Sequence, residues 1–302
     1  MPLFNDRRWA VALLFITPAL WSVNYLVGRM APGVIAPHML ALLRWSLAGL
    51  VLLAFAWPEL LAKRAVLFKN AWQYLVLGAL GMWICGAWVY IGARSTSATN
   101  IALIYGLSPV FIALVSGIWL RERLGLVQWL GITVAFVGLV HVVIKGQWSE
   151  LAQVKLVTGD LWILGATISW TLYSLFQRRW PTDFSPIARL VLIITGGVLV
   201  LLPLTALEAT SGLPMTQTVW GWTTVLLVVA AGLIPGAGAY LAYAMLQKSL
   251  GAARAGLTLY LGPLYAAGVA FWVLGEPIER YHALGALVIL PGIYLASRAK
   301  SG

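Results

Sequence analysis

The sequence predicts an all-α membrane protein of ten transmembrane helices, arranged as two inverted five-helix repeats with both termini cytoplasmic. Three observations predict this fold: the composition, the recurrence of long apolar runs and an internal repeat. Of the 302 residues, 61% are hydrophobic and only 10% are charged, whereas soluble domains carry about 25% charged residues. A chain this apolar cannot cover itself with polar surface, so a lipid bilayer is its expected solvent.

The apolar runs are long enough to cross a membrane. About 20 residues of helix span a hydrocarbon core of about 30 Å, and the runs are continuous rather than alternating, which excludes a β-barrel. The first run lacks a small-residue cleavage site and is longer than a signal peptide core, so we expect a retained helix. The predicted spans are 9–28, 39–57, 73–92, 100–120, 126–144, 161–177, 187–207, 222–245, 255–274 and 283–297.

The basic residues set the predicted orientation. Of the 20 Lys and Arg residues, 13 fall in the two terminal segments and the connectors on their side, and 5 fall in the opposite connectors. By the positive-inside rule, both termini are cytoplasmic, and the expected location is a bacterial-type inner membrane. This placement also accounts for the net charge of +11, so we expect contact with membrane lipid and no nucleic-acid partner.

The chain also repeats itself. A first set of residues recurs 149 positions later, and a second set recurs 154 positions later, so residues 1–146 and 147–302 are predicted repeats. Because each repeat holds five spans, the second enters the membrane from the opposite side. Inverted repeats are typical of secondary transporters, which bind substrate near the midplane where the repeats meet. The matched pairs include Trp21 and Trp170, Arg29 and Arg178, Pro37 and Pro186, Pro109 and Pro263, Glu122 and Glu276, Gly131 and Gly285, and Gly138 and Gly292.

Several motifs at these repeat positions resemble the EamA-type members of the drug/metabolite transporter superfamily. They are Ser95-Thr96-Ser97-Ala98, Leu107-Ser108-Pro109-Val110-Phe111, Leu120-Arg121-Glu122, Leu261-Gly262-Pro263-Leu264-Tyr265, Leu274-Gly275-Glu276-Pro277 and Leu43-Arg44-Trp45. Within that family the chain is most similar to bacterial amino-acid exporters. The resemblance implies a ten-helix carrier that exports aromatic and other neutral amino acids by alternating access.

The acidic residues bear on how such transport would be driven. All nine lie in predicted connectors or at helix ends, and His141 is the only histidine within a predicted span. Proton-coupled and sodium-coupled carriers need a membrane-embedded carboxylate, so we expect facilitated movement of a neutral or zwitterionic solute. The spans also lack the nucleophiles, paired carboxylates and Cys or His clusters that an enzyme or a metal site needs, and no cofactor, metal or catalytic residue is predicted.

The candidate substrate-binding residues are aromatic side chains with a few polar partners. Trp21 and Trp170 lie near the middle of their spans, away from the interfaces where tryptophan anchors helices. Helical spacing places the other aromatic residues on shared faces, and Asn24 follows Trp21 by one turn. Ordinary packing remains the alternative for each residue. The predicted site comprises Trp21, Asn24, Trp83, Tyr90, Tyr105, Ser108, Trp170, Tyr240 and Tyr260.

Other residues are predicted to shape or move the helices. Pro109 and Pro263 free a backbone carbonyl and either face a cavity or only kink the helix. Gly232 and Gly236 allow close helix approach or a hinge. Arg44 either binds a substrate carboxylate or ties helix ends together. Glu122 and Glu276 are expected to cap the helices that follow them.

Two other functions fit the same sequence. Broad efflux of drug-like neutral compounds suits an aromatic cavity nearly as well as amino acids do, and a non-transporting sensor or scaffold conflicts with no residue. Ten helices can enclose a site within one chain, so we expect a monomer.

Overall fold

A computed structural model of the chain describes residues 7–121, 124–211, 217–275 and 277–297. These residues form ten long helical stretches joined by short connectors, with no strand among them. Glu122 and Glu276, the two predicted caps, lie outside the described residues. The stretches are α1 (7–30), α2 (Pro37–Ala62), α3 (71–92), α4 (98–119), α5 (Leu126–Val143), α6 (Thr158–Arg179), α7 (Pro186–Thr210), α8 (222–250), α9 (252–274) and α10 (Arg280–Ser297).

Eight helices in the described part of the chain are long and apolar enough to cross a membrane, and they contain α1 to α5 and α7 to α9. The predicted all-helical membrane fold is confirmed to that extent. The two remaining stretches, α6 and α10, are not among the eight. Helix α6 begins with a buried carboxylate at Asp160 and ends on Arg178 and Arg179, which lowers its mean hydropathy. A membrane crossing by α6 and α10 stays a prediction.

Several helices depart from regular α geometry in their middle. A π-helical segment covers Ala79–Trp88 in α3, and another covers Gly232–Ala239 in α8. The two segments occupy matching places, because position 232 follows position 78 by 154 residues. Pro235 removes one backbone donor within the second segment. Wide π turns are frequent at functional sites, and both segments here lie beside the centre of the molecule.

Helices α5 and α10 meet across a glycine seam, which consists of Gly131, Gly138, Gly285 and Gly292. A Cβ atom added at Gly131 would lie 2.6 Å from the Gly292 carbonyl oxygen, and one added at Gly292 would lie 2.8 Å from the Gly131 oxygen. A Cβ at Gly285 would lie 3.4 Å from the Gly138 oxygen. Any larger side chain would therefore hold the two backbones apart.

A second kind of close helix contact occurs at two repeat-related places, between α3 and α7 and between α8 and α2. A Cβ added at Gly78 in α3 would lie 2.6 Å from the Ile193 carbonyl oxygen in α7. A Cβ added at Gly232 in α8 would lie 2.8 Å from the Arg44 carbonyl oxygen in α2. The glycines are 154 positions apart and their partners 149 positions apart, so matching positions make matching contacts. Gly236 also packs against α2, where its added Cβ would lie 3.6 Å from the Ala48 Cβ.

Three groups of buried side chains form the core. The largest fills the centre between α1, α2, α3, α6, α7 and α8. A second lies between α5, α9 and α10, and a third joins the ends of α1, α2 and α8. The central group carries most of the buried aromatic rings, which positions the candidate site.

Candidate functional site

Six aromatic rings meet at the centre of the molecule, and we name them the central aromatic cluster. Trp21 and Trp170, the predicted repeat partners, lie edge to face with ring centroids 5.3 Å apart. Tyr240 packs edge to face on both, at 6.1 Å from Trp21 and 5.6 Å from Trp170. Such geometry is the preferred arrangement of aromatic pairs. The members are Trp21, Trp45, Trp170, Tyr173, Tyr240 and Tyr243.

The hydroxyl groups of the cluster are bonded to neighbouring helices. Tyr240 donates to the Gly81 carbonyl oxygen at 3.0 Å, within the π-helical segment of α3. The Tyr243 hydroxyl lies 3.0 Å from Ser174 Oγ in α6. The indole nitrogens of Trp45 and Trp170 are buried and have no protein partner among the described residues. The cluster thus combines rigid apolar faces with two free N–H donors.

Arg44 lies beside this cluster and is 4% exposed. Its Nη1 donates to Asn24 Oδ1 at 3.2 Å, and its guanidinium carbon lies 4.9 Å from the centroid of the Trp45 ring. Gly86 leaves room for it, because a Cβ added there would lie 3.3 Å from Arg44 Nη2. No carboxylate of the described residues lies within 4.0 Å of the guanidinium. The site therefore contains a buried cation without a protein anion.

A second buried arginine has a different environment. Arg189 in α7 donates from Nη2 to the carbonyl oxygens of Gln177 and Trp180, at 2.8 and 2.7 Å. These carbonyls belong to the C-terminal end of α6, where a cation complements the helix dipole. Arg189 closes a helix end, whereas Arg44 bonds one side-chain amide among the described residues.

A hydrogen-bonded chain links the start of α2 to α3 and α7. Glu208 accepts from the backbone nitrogen of His38 and from His38 Nδ1, both at 2.9 Å. The other ring nitrogen, His38 Nε2, accepts from Trp83 Nε1 at 3.3 Å. The sequence predicts His141 as the only histidine within a span, and this prediction is wrong, because the membrane-length helix α2 begins at Pro37 and includes His38.

The other predicted site residues are dispersed. Tyr90 packs in the third core group beside Gly28, and Tyr105 lies within hydrogen-bonding reach of Cys85. Ser108 is fully buried, and its Oγ has no partner among the described residues. Tyr260 packs 6.4 Å from Phe136 in the second core group, away from the central aromatic cluster. The structure thus brings Trp21, Trp170 and Tyr240 together and leaves these four apart.

The predicted hinge residues lie where helices are interrupted. Pro109 is in the first turn of the segment Ser108–Trp119, directly after a break at Leu107. Pro263 is in the first turn of Gly262–Leu274, after the 3₁₀ segment Leu257–Leu261. Both prolines therefore begin a new helical segment rather than interrupting a continuous one. Such positions can absorb a change in backbone angle with little loss of hydrogen bonding.

Two cavities open away from the central aromatic cluster. The larger, about 630 Å³, lies between the α3–α4 turn and the α5–α6 connector, and no predicted substrate-binding residue lines it. Beside it, Asp160 accepts from Thr96 Oγ1 and, at 2.8 Å, from Asn100 Nδ2. The smaller, about 330 Å³, lies beside Glu208. Both lie on the side opposite the predicted cytoplasmic termini.

The described carboxylates lie in connectors or in the first or last turn of a helix. No group of three or more His, Cys, Asp or Glu among these residues could hold a metal ion. The Cys85 thiol donates to the Ala166 carbonyl oxygen. The described carboxylates are Glu59, Glu150, Asp160, Asp183, Glu208 and Glu279.

Long apolar helices that enclose buried aromatic rings and a buried arginine fit a membrane carrier. The model of the EamA-like transporter family matches the chain twice, over residues 8–144 and 157–298. The chain belongs to this family and is a multi-pass membrane transporter.

The relatives are named as transporters. The uncharacterized transporter YyaM of Bacillus subtilis strain 168 is 29% identical over 91% of this chain and 89% of its own. The S-adenosylmethionine/S-adenosylhomocysteine transporter of Chlamydia trachomatis serovar D is 24% identical over 93% of this chain and 87% of its own. A solved structure, described only as the crystal structure of a protein, has a TM-score of 0.77 at 20% identity and covers 96% of this chain and 97% of that one. That likeness shows a shared fold.

Sequence reasoning missed three members of the central aromatic cluster: Trp45, Tyr173 and Tyr243. Two of them had a usable signal. Tyr173 follows Asn24 by 149 positions and so occupies its repeat position, and Tyr243 lies three residues after Tyr240, on the same helical face. Trp45 had no such signal, since its face of α2 depends on packing against α8.

Proposed function

We propose that the protein exports small neutral and zwitterionic metabolites, most of all aromatic and other neutral amino acids, across a bacterial inner membrane. The observation that carries this proposal is the meeting of Trp21 and Trp170, with Tyr240 across both rings. Substrate sites of inverted-repeat carriers lie at the interface between the repeats. Aromatic walls with few polar groups suit a ligand with an apolar side chain.

We propose a ten-helix topology with repeats 1–146 and 147–302 in opposite orientation and both termini in the cytoplasm. The reciprocal contacts of Gly131 with Gly292, and the contact of Gly285 with the Gly138 carbonyl oxygen at the matching positions, support a two-fold relation between the halves. Alternating access then follows from rocking of one half against the other. The helix starts at Ser108 and Gly262 supply matching places for bending.

Transport without ion coupling is part of the proposal. The described carboxylates lie at helix ends or in connectors, so none of them is placed to carry a proton through the centre of the bilayer. Substrate then moves down its own gradient, and we propose that one chain is sufficient. The outcome that would refute this part is flux that appears only when a proton or sodium gradient is imposed.

The test is counterflow in proteoliposomes with matched pH and salt on both sides. Labelled phenylalanine and threonine are expected to exchange saturably. A neutral drug-like compound tests broad efflux, and flux of the drug without amino-acid flux would replace our substrate assignment. S-adenosylmethionine is included because it joins an amino-acid group to an aromatic base, which the central aromatic cluster could stack against. Absence of flux for all four would support a sensor or scaffold instead.

A further inference from the structure

We propose that Arg44, held by Asn24, binds the carboxylate of the transported amino acid, and that the substrate lies with this group toward the first repeat. This inference rests on the proposed function, because it names the binding geometry of the same site. The starting observation is the buried guanidinium with one protein hydrogen bond, to Asn24 Oδ1 at 3.2 Å.

A buried charge with few partners is costly, because desolvation removes its hydration, and for Arg44 the Asn24 oxygen and the Trp45 ring replace only part of it. Proteins satisfy buried arginines with carboxylates or with carbonyl groups, as Arg189 shows with its two carbonyl bonds. Arg44 has neither among the described residues. A substrate carboxylate supplies the missing anion and matches the planar fork of the guanidinium.

The surroundings of Arg44 differ from those of the related positions in the second repeat. The residue 149 positions after Asn24 is Tyr173, and the residue 149 positions after Arg44 is Ile193. Both are 1% exposed. At these paired positions α1 and α2 supply an amide and a cation, whereas α6 and α7 supply a phenol ring and an aliphatic side chain. The buried arginine of α7, Arg189, is already bonded to two carbonyl oxygens at the end of α6.

The repeat-related helices α3 and α8 differ in the same way. Gly86 in α3 faces Arg44 and leaves it space, whereas the residue 154 positions later is Tyr240, whose ring fills the centre. A ligand with a charged head and an apolar side chain fits such a pocket in one orientation. Compounds that keep the side chain and lack the carboxylate lose the contact with Arg44.

The experiment compares exchange of phenylalanine with exchange of phenylalaninamide, which keeps the ammonium and the ring and replaces the carboxylate by a neutral amide. In the unaltered protein we expect phenylalanine to be preferred by at least about tenfold, the effect of losing a charge-assisted hydrogen bond. Arg44→Gln should bring the ratio close to one. Arg44→Lys, which keeps the charge and loses the fork, should give an intermediate ratio.

Asn24→Asp is the sharper variant, because it places a carboxylate of nearly the same shape 3.2 Å from Arg44 Nη1. The internal anion should occupy the guanidinium, so the variant should fold with an unchanged or higher Tm and lose the preference for phenylalanine. If Arg44→Gln fails to fold, Asn24→Asp still tests the proposal. Ligand binding is followed independently of flux by the rise in Tm that each compound produces.

The outcomes separate the two proposals. Exchange of phenylalanine with an unchanged ratio in Arg44→Gln or Asn24→Asp would overturn the carboxylate contact and leave the exporter assignment in place. Equal loss of both compounds in well-folded Asn24→Asp would also overturn it, since the amide does not need the guanidinium. Absence of phenylalanine exchange in the unaltered protein would overturn the proposed function and this inference together.

Discussion

The glycine seam and the central aromatic cluster differ in how closely the two halves of the chain match. In the seam, Gly131 and Gly292 contact each other reciprocally, and the matching residues Gly285 and Gly138 also approach, with a Cβ added at Gly285 lying 3.4 Å from the Gly138 oxygen. At the centre, only Trp21 and Trp170 are matched; Asn24 corresponds to Tyr173 and Arg44 to Ile193. The molecule keeps its repeat where helices only pack, and departs from it where an asymmetric ligand would bind.

This comparison predicts that substitutions in the seam act on stability, whereas substitutions at the centre act on transport as well. The glycines bring backbones together and have no side chain to offer a ligand. The centre has donors at Trp45, Trp170 and Arg44 that are unpaired among the described residues. Four experiments test this division, taken from the largest expected effect to the smallest.

Trp170→Ala should have the largest effect. Trp170 is 4% exposed and touches Trp21, Tyr173, Tyr240 and Tyr243, and removing a buried Trp side chain costs about 3–5 kcal/mol. We expect both a lower Tm and loss of phenylalanine exchange, with Trp170→Phe retaining part of each. Counterflow and thermal unfolding in detergent measure the two effects.

Its matched control is Trp272→Ala, since Trp272 is 84% exposed on the outside of α9. That variant should keep exchange close to the unaltered level. Full exchange by well-folded Trp170→Ala would instead mean that the central aromatic cluster is packing only, and the site would have to be sought at the larger cavity near Asn100.

Gly131→Ala should destabilise the protein by about 1–3 kcal/mol, the usual cost of overpacking. Its new Cβ would clash with the backbone of α10 at Ala296 and Gly292, which cannot rotate away. Gly268→Ala is the control: a Cβ there meets nothing within 4 Å, so reduced freedom of the unfolded chain should stabilise the protein by about 0.4–1 kcal/mol. We therefore expect Gly131→Ala to lower Tm and Gly268→Ala to raise it.

The same pair of variants tests the division of roles. Exchange per folded molecule should be unchanged in Gly131→Ala, because the seam does not line the site. A selective loss of exchange at normal Tm would show that α5 and α10 move during transport, and that the symmetric part of the molecule is not merely a scaffold.

The bond between Trp83 and His38 joins α3 to the start of α2. Indole nitrogen is only a donor, so the bond requires His38 Nε2 as its acceptor, with the ring proton on Nδ1 directed to Glu208. Removing either side chain removes the bond, so the effects of the two substitutions should not be additive.

A double-mutant cycle of His38→Ala and Trp83→Phe measures this bond. The coupling free energy should be about 0.5–1.5 kcal/mol, the range for a neutral hydrogen bond. A coupling free energy near zero would show that the hydrogen bond adds nothing to stability.

Sequence reasoning found the long apolar helices and the Trp21–Trp170 pair, because span length and repeat offset depend on local pattern alone. It could not find the chain from Glu208 to Trp83, since His38 and Glu208 are 170 positions apart and neither belongs to a motif. Tyr260 shows a finer limit. It lies one residue beyond Leu259, the repeat position of Tyr105, and one residue is about 100° of helical rotation. Leu259 accordingly packs on the central core, whereas Tyr260 faces the second group.

Ser108→Ala is the smallest expected change and the most direct separation of stability from function. Its hydroxyl is fully buried without a partner among the described residues, and the repeat position is Gly262, which has no hydroxyl. Replacing an unsatisfied buried hydroxyl by a methyl group should leave stability unchanged or raise it by up to about 1 kcal/mol. If the hydroxyl serves a substrate, exchange should fall severalfold at unchanged or higher Tm. If both Tm and exchange fall, Ser108 is a structural residue, and its hydroxyl finds a hydrogen-bond partner in another conformation of the protein. The asymmetric part of the site would then consist of Asn24 and Arg44 alone.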